Sequence, residues 1–113
     1  MDRILDVLIV EPGQEPRLSV AVNDLDYFQR IVGGPIEAGC CLSQRVMLIC
    51  NGEGKNLGLP PNRPNPNNSA DTICGTFFLC SFEGEYFASL TPAQQSRFRA
   101  YFALSRLEGG GSE

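Results

Sequence analysis

Two segments decide the fold of this chain: Val46-Met-Leu-Ile-Cys-Asn-Gly-Glu-Gly-Lys-Asn-Leu-Gly-Leu-Pro-Pro-Asn-Arg63 and Ile73-Cys-Gly-Thr-Phe-Phe78. The first begins with an apolar run that predicts a strand, and Asn51-Gly52 then predicts a tight hairpin turn. The second is rich in β-branched and aromatic residues and predicts another strand. Between the two, residues 60–70 contain four prolines and four asparagines. This composition excludes a helix or an inner strand, so we expect a long irregular loop there.

Working outward, the apolar patterns predict further strands. Ile4–Val10 is apolar at most positions, as in an inner strand, and Arg17–Val22 alternates as its hairpin partner would. The remaining predicted strands are residues 35–42, 45–50 and 72–82, with a short returning arm at 55–59 and a small final arm at 85–87.

Two helices complete the expected fold. Asn23 or Asp24 can cap a short helix that Gly33 and a following proline end. Thr91-Pro-Ala-Gln94 has the pattern of a capping box with proline at the first helical position. We therefore predict an α+β domain over residues 1–107, with two helices on an antiparallel or mixed sheet of four to six strands, and a flexible glycine-rich tail at 108–113.

Composition excludes several classes of function. The chain has 113 residues, a formal net charge of -4 and a single lysine, Lys55. General nucleic-acid binding is not expected, because it requires clustered basic residues. No apolar run approaches the roughly 18 residues of a membrane span, so we expect a cytoplasmic protein with no membrane partner.

Catalytic and metal-binding signatures are missing from the sequence. There is no histidine, and the five cysteines show no CxxC spacing. In a reducing compartment such cysteines act mainly as small buried apolar residues. We therefore expect no metal, no cofactor and no enzymatic activity, although a cysteine-only metal site is the alternative.

Several motifs resemble those of a small family of bacterial and phage domains whose function is unknown. The motifs are Val7-Leu-Ile-Val-Glu-Pro-Gly13, Ile31-Val-Gly-Gly-Pro-Ile-Glu37, Leu48-Ile-Cys-Asn-Gly-Glu-Gly-Lys55, Leu57-Gly-Leu-Pro-Pro-Asn-Arg63 and Gly75-Thr-Phe-Phe78. The similarity covers roughly residues 4 to 103. It implies an accessory protein of phages or other mobile elements, with a role against host defence.

From this resemblance we expect a non-catalytic protein that binds a small anionic ligand such as a nucleotide signal. The alternative is a protein-binding inhibitor of a host defence component, and an enzyme is the third hypothesis. Aromatic and β-branched residues are expected on both faces of a small sheet, so we also predict a homo-oligomer.

The candidate ligand-binding residues are Arg63, Asn62, Lys55, Asn51 and Thr76. Arg63 could hold a phosphate or carboxylate with two hydrogen bonds, or it could clamp the loop as a structural residue. Asn51 and Lys55 flank a glycine turn, which could be a plain turn or could cradle a phosphate. Thr76 is expected on one sheet face with Phe78, with Phe77 on the other.

Overall fold

The computed structural model describes residues 3–42 and 45–104. The predicted tail at 108–113 and the predicted end of the domain at residue 107 lie outside the described residues. The chain forms the following elements: β1 (Ile4–Val10), β2 (Arg17–Val22), α1 (Leu25–Val32), β3 (Ile36–Leu42), β4 (Val46–Asn51), β5 (Pro61–Asn65), β6 (Asn68–Cys74), β7 (Phe77–Glu83), β8 (Tyr86–Ala88) and α2 (Pro92–Leu104).

The predicted α+β class is confirmed. Five strands form an antiparallel sheet in the order β2-β1-β7-β4-β3, and the short β8 pairs with one end of β7. Strands β5 and β6 form a separate two-stranded sheet. β1 and β7 are the most deeply buried strands because the main sheet is covered on both faces.

Each helix covers one face of the main sheet. Phe28 of α1 packs on Phe78, with ring centroids 5.2 Å apart. Phe102 of α2 packs on Phe77 from the opposite side, also at 5.2 Å. Ile73 of the β5–β6 hairpin joins the core on the α2 side. The alternation of Phe77 and Phe78 between two faces is therefore confirmed, and both faces are covered by the chain's own helices.

Both helices begin as the sequence indicates. Asp24 caps α1 and accepts a hydrogen bond from the Asp26 amide at 3.0 Å. Gly33 closes this helix with φ 80°. At α2 the predicted capping box is confirmed: the Thr91 amide donates to Gln94 Oε1, and the Gln94 amide donates to Thr91 Oγ1.

Three predictions about the middle of the chain are wrong. Residues 55–59 do not return as a strand, because residues 52–58 form successive turns. The expected irregular loop at 60–70 instead contains the β5–β6 hairpin. A two-stranded ribbon tolerates prolines where its register slips, and the register does slip beside Pro61 and Pro64.

The third correction concerns the strand predicted over residues 72–82. It is two strands, β6 and β7, separated at Gly75 and Thr76. Gly75 has φ 88°, which turns the chain from the small hairpin into the main sheet. A Cβ at Gly75 would lie 2.7 Å from Leu59 Cδ1, so the Leu59 side chain packs directly against this glycine. Thr76 consequently lies outside β7 and shares no strand face with Phe78.

Candidate functional site

A cleft opens between the β5–β6 hairpin and the β3–β4 edge of the main sheet. This opening, the cleft, has a cavity of about 280 Å³. Side chains from β3, β4, the turn after β4 and the hairpin line it, among them Glu37, Cys50, Lys55, Asp71, Thr72 and Cys74. A wider depression of about 720 Å³ lies beside α1, but residues 24–34 alone line it. The cleft is the stronger candidate because separate segments of the fold converge there.

Glycines give the cleft its shape. A Cβ at Gly39 would lie 3.1 Å from Cys50 Sγ, and a Cβ at Gly54 would lie 2.6 Å from the Cys74 carbonyl oxygen. Contacts this short leave no room for a side chain at Gly54, where the backbone of the turn meets the hairpin. The glycine-rich turn therefore serves close packing of two backbones at the cleft wall.

Asn51 is buried and holds this turn in place. Its Nδ2 donates to the Val32 carbonyl at 3.1 Å, and its Oδ1 accepts from the Glu53 amide at 2.7 Å. Asn51 lines the cleft, but both ends of its amide are engaged in these structural hydrogen bonds. The residue thus links the end of α1 to the turn that carries Lys55.

An ion pair lies at the cleft between Lys55 and Asp71. Lys55 Nζ contacts Asp71 Oδ1, and Asn65 Nδ2 donates to Asp71 Oδ2 at 3.3 Å. The hydrogen bond from Lys55, and then that from Asn65, lower the pKa of Asp71. The same contact with Asp71 raises the pKa of Lys55. This pair connects the turn after β4 to the hairpin.

The thiol of Cys50 is poorly suited to nucleophilic chemistry. Burial raises its pKa to about 11, and the negative charge of Glu37 adds to the effect. A thiol in this range is protonated near neutral pH, and the thiolate is the reactive form. Among the residues that the structure describes, no three Cys, Asp or Glu side chains are grouped to hold a metal ion. The cleft offers hydrogen-bonding groups and charged side chains to a molecule that enters it.

Arg63 and Asn62 lie elsewhere, in the interior behind the hairpin. Arg63 is fully buried and donates from Nε to the Phe102 carbonyl at 2.9 Å and from Nη2 to the Gln14 carbonyl at 2.7 Å. Its Nη1 donates to Asn62 Oδ1 at 2.8 Å and to the Glu11 carbonyl at 3.4 Å. This is the geometry of the structural clamp and not that of an exposed ligand contact.

Asn62 completes the clamp. Its Nδ2 donates to the carbonyl oxygens of Val10 at 2.9 Å and of Gly75 at 2.8 Å. Together Asn62 and Arg63 fix the hairpin to the end of β1, to the turn after it and to the C-terminal turn of α2. The positively charged guanidinium of Arg63 also lies at the C-terminal end of α2, where the backbone carbonyls carry partial negative charge.

Of the five candidate residues, the structure therefore brings two, Asn51 and Lys55, to the cleft. Glu37, Asp71, Cys50 and Cys74 line it as well and were not among the candidates. No local motif marks them, since they meet only when the hairpin folds back over the sheet. Separately, none of the helices in the described ranges 3–42 and 45–104 is long and apolar enough to cross a membrane.

Comparison with known proteins identifies a family and nothing closer. No curated protein and no solved structure is significantly similar to the chain. Residues 4–103 match a family described as a domain of unknown function, DUF3846. That match covers the ten helices and strands found in the described residues, except the last residue of α2. The chain therefore belongs to the DUF3846 family.

Proposed function

We propose that the chain is a non-catalytic protein that binds a small polar molecule in the cleft. The observation that carries the proposal is the cavity of about 280 Å³ into which polar side chains from separate segments converge. Ligand pockets are concave, preformed and lined by a few placed polar groups, and their volumes are about 300–1,000 Å³. The cleft lies just below this range, which favours a small ligand.

The clamp supports this role because it fixes one wall of the cleft. Arg63 and Asn62 tie the hairpin to three other parts of the fold, so the hairpin is held before a ligand arrives. Preformed sites lose less conformational entropy on binding. Sequestration of a small molecule needs no catalytic group, which agrees with the protonated Cys50 thiol and with the absence of histidine from the sequence.

The biological setting is part of the proposal and rests on the family resemblance alone. A protein of this size encoded by a phage or other mobile element would act by removing a signal molecule from a host defence pathway. On this view the protein works in the cytoplasm, where such signals are made.

The experiment is capture of a ligand from a cell extract. The full chain is incubated with the small-molecule fraction of the extract, desalted, and examined by native mass spectrometry. Thr72→Tyr should abolish the adduct by filling the cleft, whereas Ser69→Tyr, an exposed position on the same strand, should retain it. An adduct that survives Thr72→Tyr, or no adduct with the unmodified chain, would contradict the proposal.

A second candidate function, binding of a protein partner, is favoured by one surface. Ile4, Leu18 and Val20 are 52%, 46% and 52% exposed and share a face of β1 and β2 by register. β2 is also an edge strand, with one side of its backbone open for pairing. Such a surface suits either a host protein or a second copy of this chain.

The two uses of this surface are separable. If it mediates self-association, light scattering should give at least twice 12.3 kDa for the unmodified chain and 12.3 kDa for Val20→Lys. If it binds a host protein, the unmodified chain should be a monomer, and Val20→Lys should lose a stoichiometric partner in a pull-down. A monomer without a partner excludes both uses.

A further inference from the structure

Resting on the proposed function, we infer that the ligand of the cleft carries a positively charged group, an amine or a guanidinium, which Glu37 and Asp71 recognise. This differs from the anionic ligand that the sequence led us to expect. Its failure would leave the binding role of the cleft intact. The inference follows from which hydrogen-bonding groups of the cleft are already engaged and which are available.

The backbone amides of the glycine turn are engaged within the protein. The Gly52 amide donates to the Pro35 carbonyl at 2.8 Å, and the Gly54 amide donates to the Asn51 carbonyl at 3.2 Å. The Glu53 amide between them donates to Asn51 Oδ1. A phosphate-binding glycine loop needs several adjacent amides directed at the anion. Residues 52–54 therefore lack the free amides that such a loop requires.

Four polar side chains of the cleft also donate within the protein. The ammonium of Lys55 is paired with Asp71, and the Nδ2 group of Asn51 donates to the Val32 carbonyl. Asn56 Nδ2 donates to Glu53 Oε1 at 3.1 Å, and Asn65 Nδ2 donates to Asp71. An anion that paired with Lys55 would have to displace Asp71 and would then face the released Asp71 carboxylate.

Acceptors, by contrast, remain available. In the described part of the chain, the Glu37 carboxylate makes neither a hydrogen bond nor an ion pair. Glu37 and Asp71 carry two negative charges against the single positive charge of Lys55, so the ionised lining is net negative. Burial raises the pKa of Cys50, and the negative charge of Glu37 raises it further, which agrees with a negative potential in the cleft. Charge complementarity then favours a cationic ligand.

Lys55 distinguishes the two ligand classes because its loss has opposite effects on them. A cationic group competes with Lys55 for Asp71, so Lys55→Met should strengthen its binding. An anionic group would use Lys55 as its only cationic partner in the lining, so the same substitution should abolish its binding.

The test uses small probes of matched size and opposite charge: propylammonium against propionate and inorganic phosphate. Each is titrated into the full-length ¹⁵N-labelled chain, and the amide signals of Gly39, Gly52 and Gly54 are followed. We expect saturable shifts with propylammonium only. Glu37→Gln should weaken that binding by up to about five-fold, the equivalent of about 1 kcal/mol for an exposed ion pair. Glu85→Gln, an exposed carboxylate outside the cleft, should leave it unchanged.

Three results would overturn the inference. The first is shifts at these glycines with propionate or phosphate but not with propylammonium; the binding role of the cleft would then stand with the opposite charge preference. The second is a propylammonium affinity that Lys55→Met lowers. The third is an absence of cleft shifts with any probe, in which case extract capture, with its Thr72→Tyr control, still decides the proposed function independently.

Discussion

Replacing Arg63 by alanine should destabilise the fold by about 3–5 kcal/mol. The guanidinium is the hydrogen-bond donor for three backbone carbonyls, of Phe102, Glu11 and Gln14. A buried acceptor left unsatisfied costs about 1–3 kcal/mol. The full range applies to the buried Phe102 carbonyl, and about 1 kcal/mol applies to each of the two half-buried ones. Small domains have total stabilities of only about 5–15 kcal/mol, so the expected loss is a large fraction.

Urea unfolding followed by far-ultraviolet circular dichroism measures this loss of stability. Circular dichroism is the suitable signal because the chain has no tryptophan whose fluorescence could report unfolding. For a domain of this size the melting temperature should also fall by at least about 12 °C. Arg63→Lys should recover little, because one ammonium cannot reproduce the planar fork that spans these carbonyls. Arg99→Ala, an exposed arginine of α2, is the matched control and should change stability by less than about 0.5 kcal/mol. If Arg63→Ala were as neutral as Arg99→Ala, the clamp would be refuted.

Three further changes test other parts of the structure. Asn51→Ala should lower the free energy of unfolding in urea by about 1–3 kcal/mol, because the buried Asn51 side chain makes hydrogen bonds with both the Val32 carbonyl and the Glu53 amide. An unchanged urea midpoint would contradict this prediction. Gly75→Ala should lower the free energy of unfolding by about 1–3 kcal/mol, because φ is 88° at this residue and the new Cβ would contact Leu59. A stabilised variant would contradict the left-handed backbone conformation at Gly75. Burial raises the pKa of Cys80 to about 12. The thiol thus stays protonated in the folded protein, whereas in the unfolded chain it ionises above about pH 9. The free energy of unfolding should therefore fall above this pH by up to about 1.4 kcal/mol per pH unit for this thiol. Cys80→Ala should remove that part of the pH dependence of stability, and an unchanged pH dependence would argue against burial of Cys80.

The sequence predicts the outer framework of the fold well because the relevant signals are local. The capping box at Thr91 and the cap at Asp24 mark the starts of both helices, and Gly33 marks the end of the first. The apolar runs of β1 and β4 predict inner strands, because a strand covered on both faces must be apolar on both faces.

The middle of the chain is predicted poorly because its structure depends on distant contacts. Prolines at 61 and 64 argue against a strand, yet β5 forms because Asn62 and Arg63 supply hydrogen bonds to β1, to the following turn and to α2. Those partners lie about 40 to 50 residues away in sequence, so no local pattern indicates them. The same side chains were interpreted as ligand contacts because arginine beside asparagine in a rigid loop fits both roles.

The cleft is predicted only in part for the same reason. Asn51 and Lys55 flank a glycine turn, which draws attention to them in the sequence. Glu37 and Asp71 come from β3 and β6, which the fold places at opposite walls of one cavity. Their roles depend on the position of the hairpin, and the position of the hairpin depends on the clamp.

The central claim, that the cleft is the ligand site, is tested most directly by mapping amide shifts. Spectra of the ¹⁵N-labelled full chain are recorded with and without the small-molecule fraction of a cell extract. We predict that the largest shifts fall on Gly39, Gly52, Gly54 and residues 71–74, all of which line the cleft. Shifts confined to the exposed β2 strand around Leu18 and Val20, or no shifts at any amide, would contradict the claim.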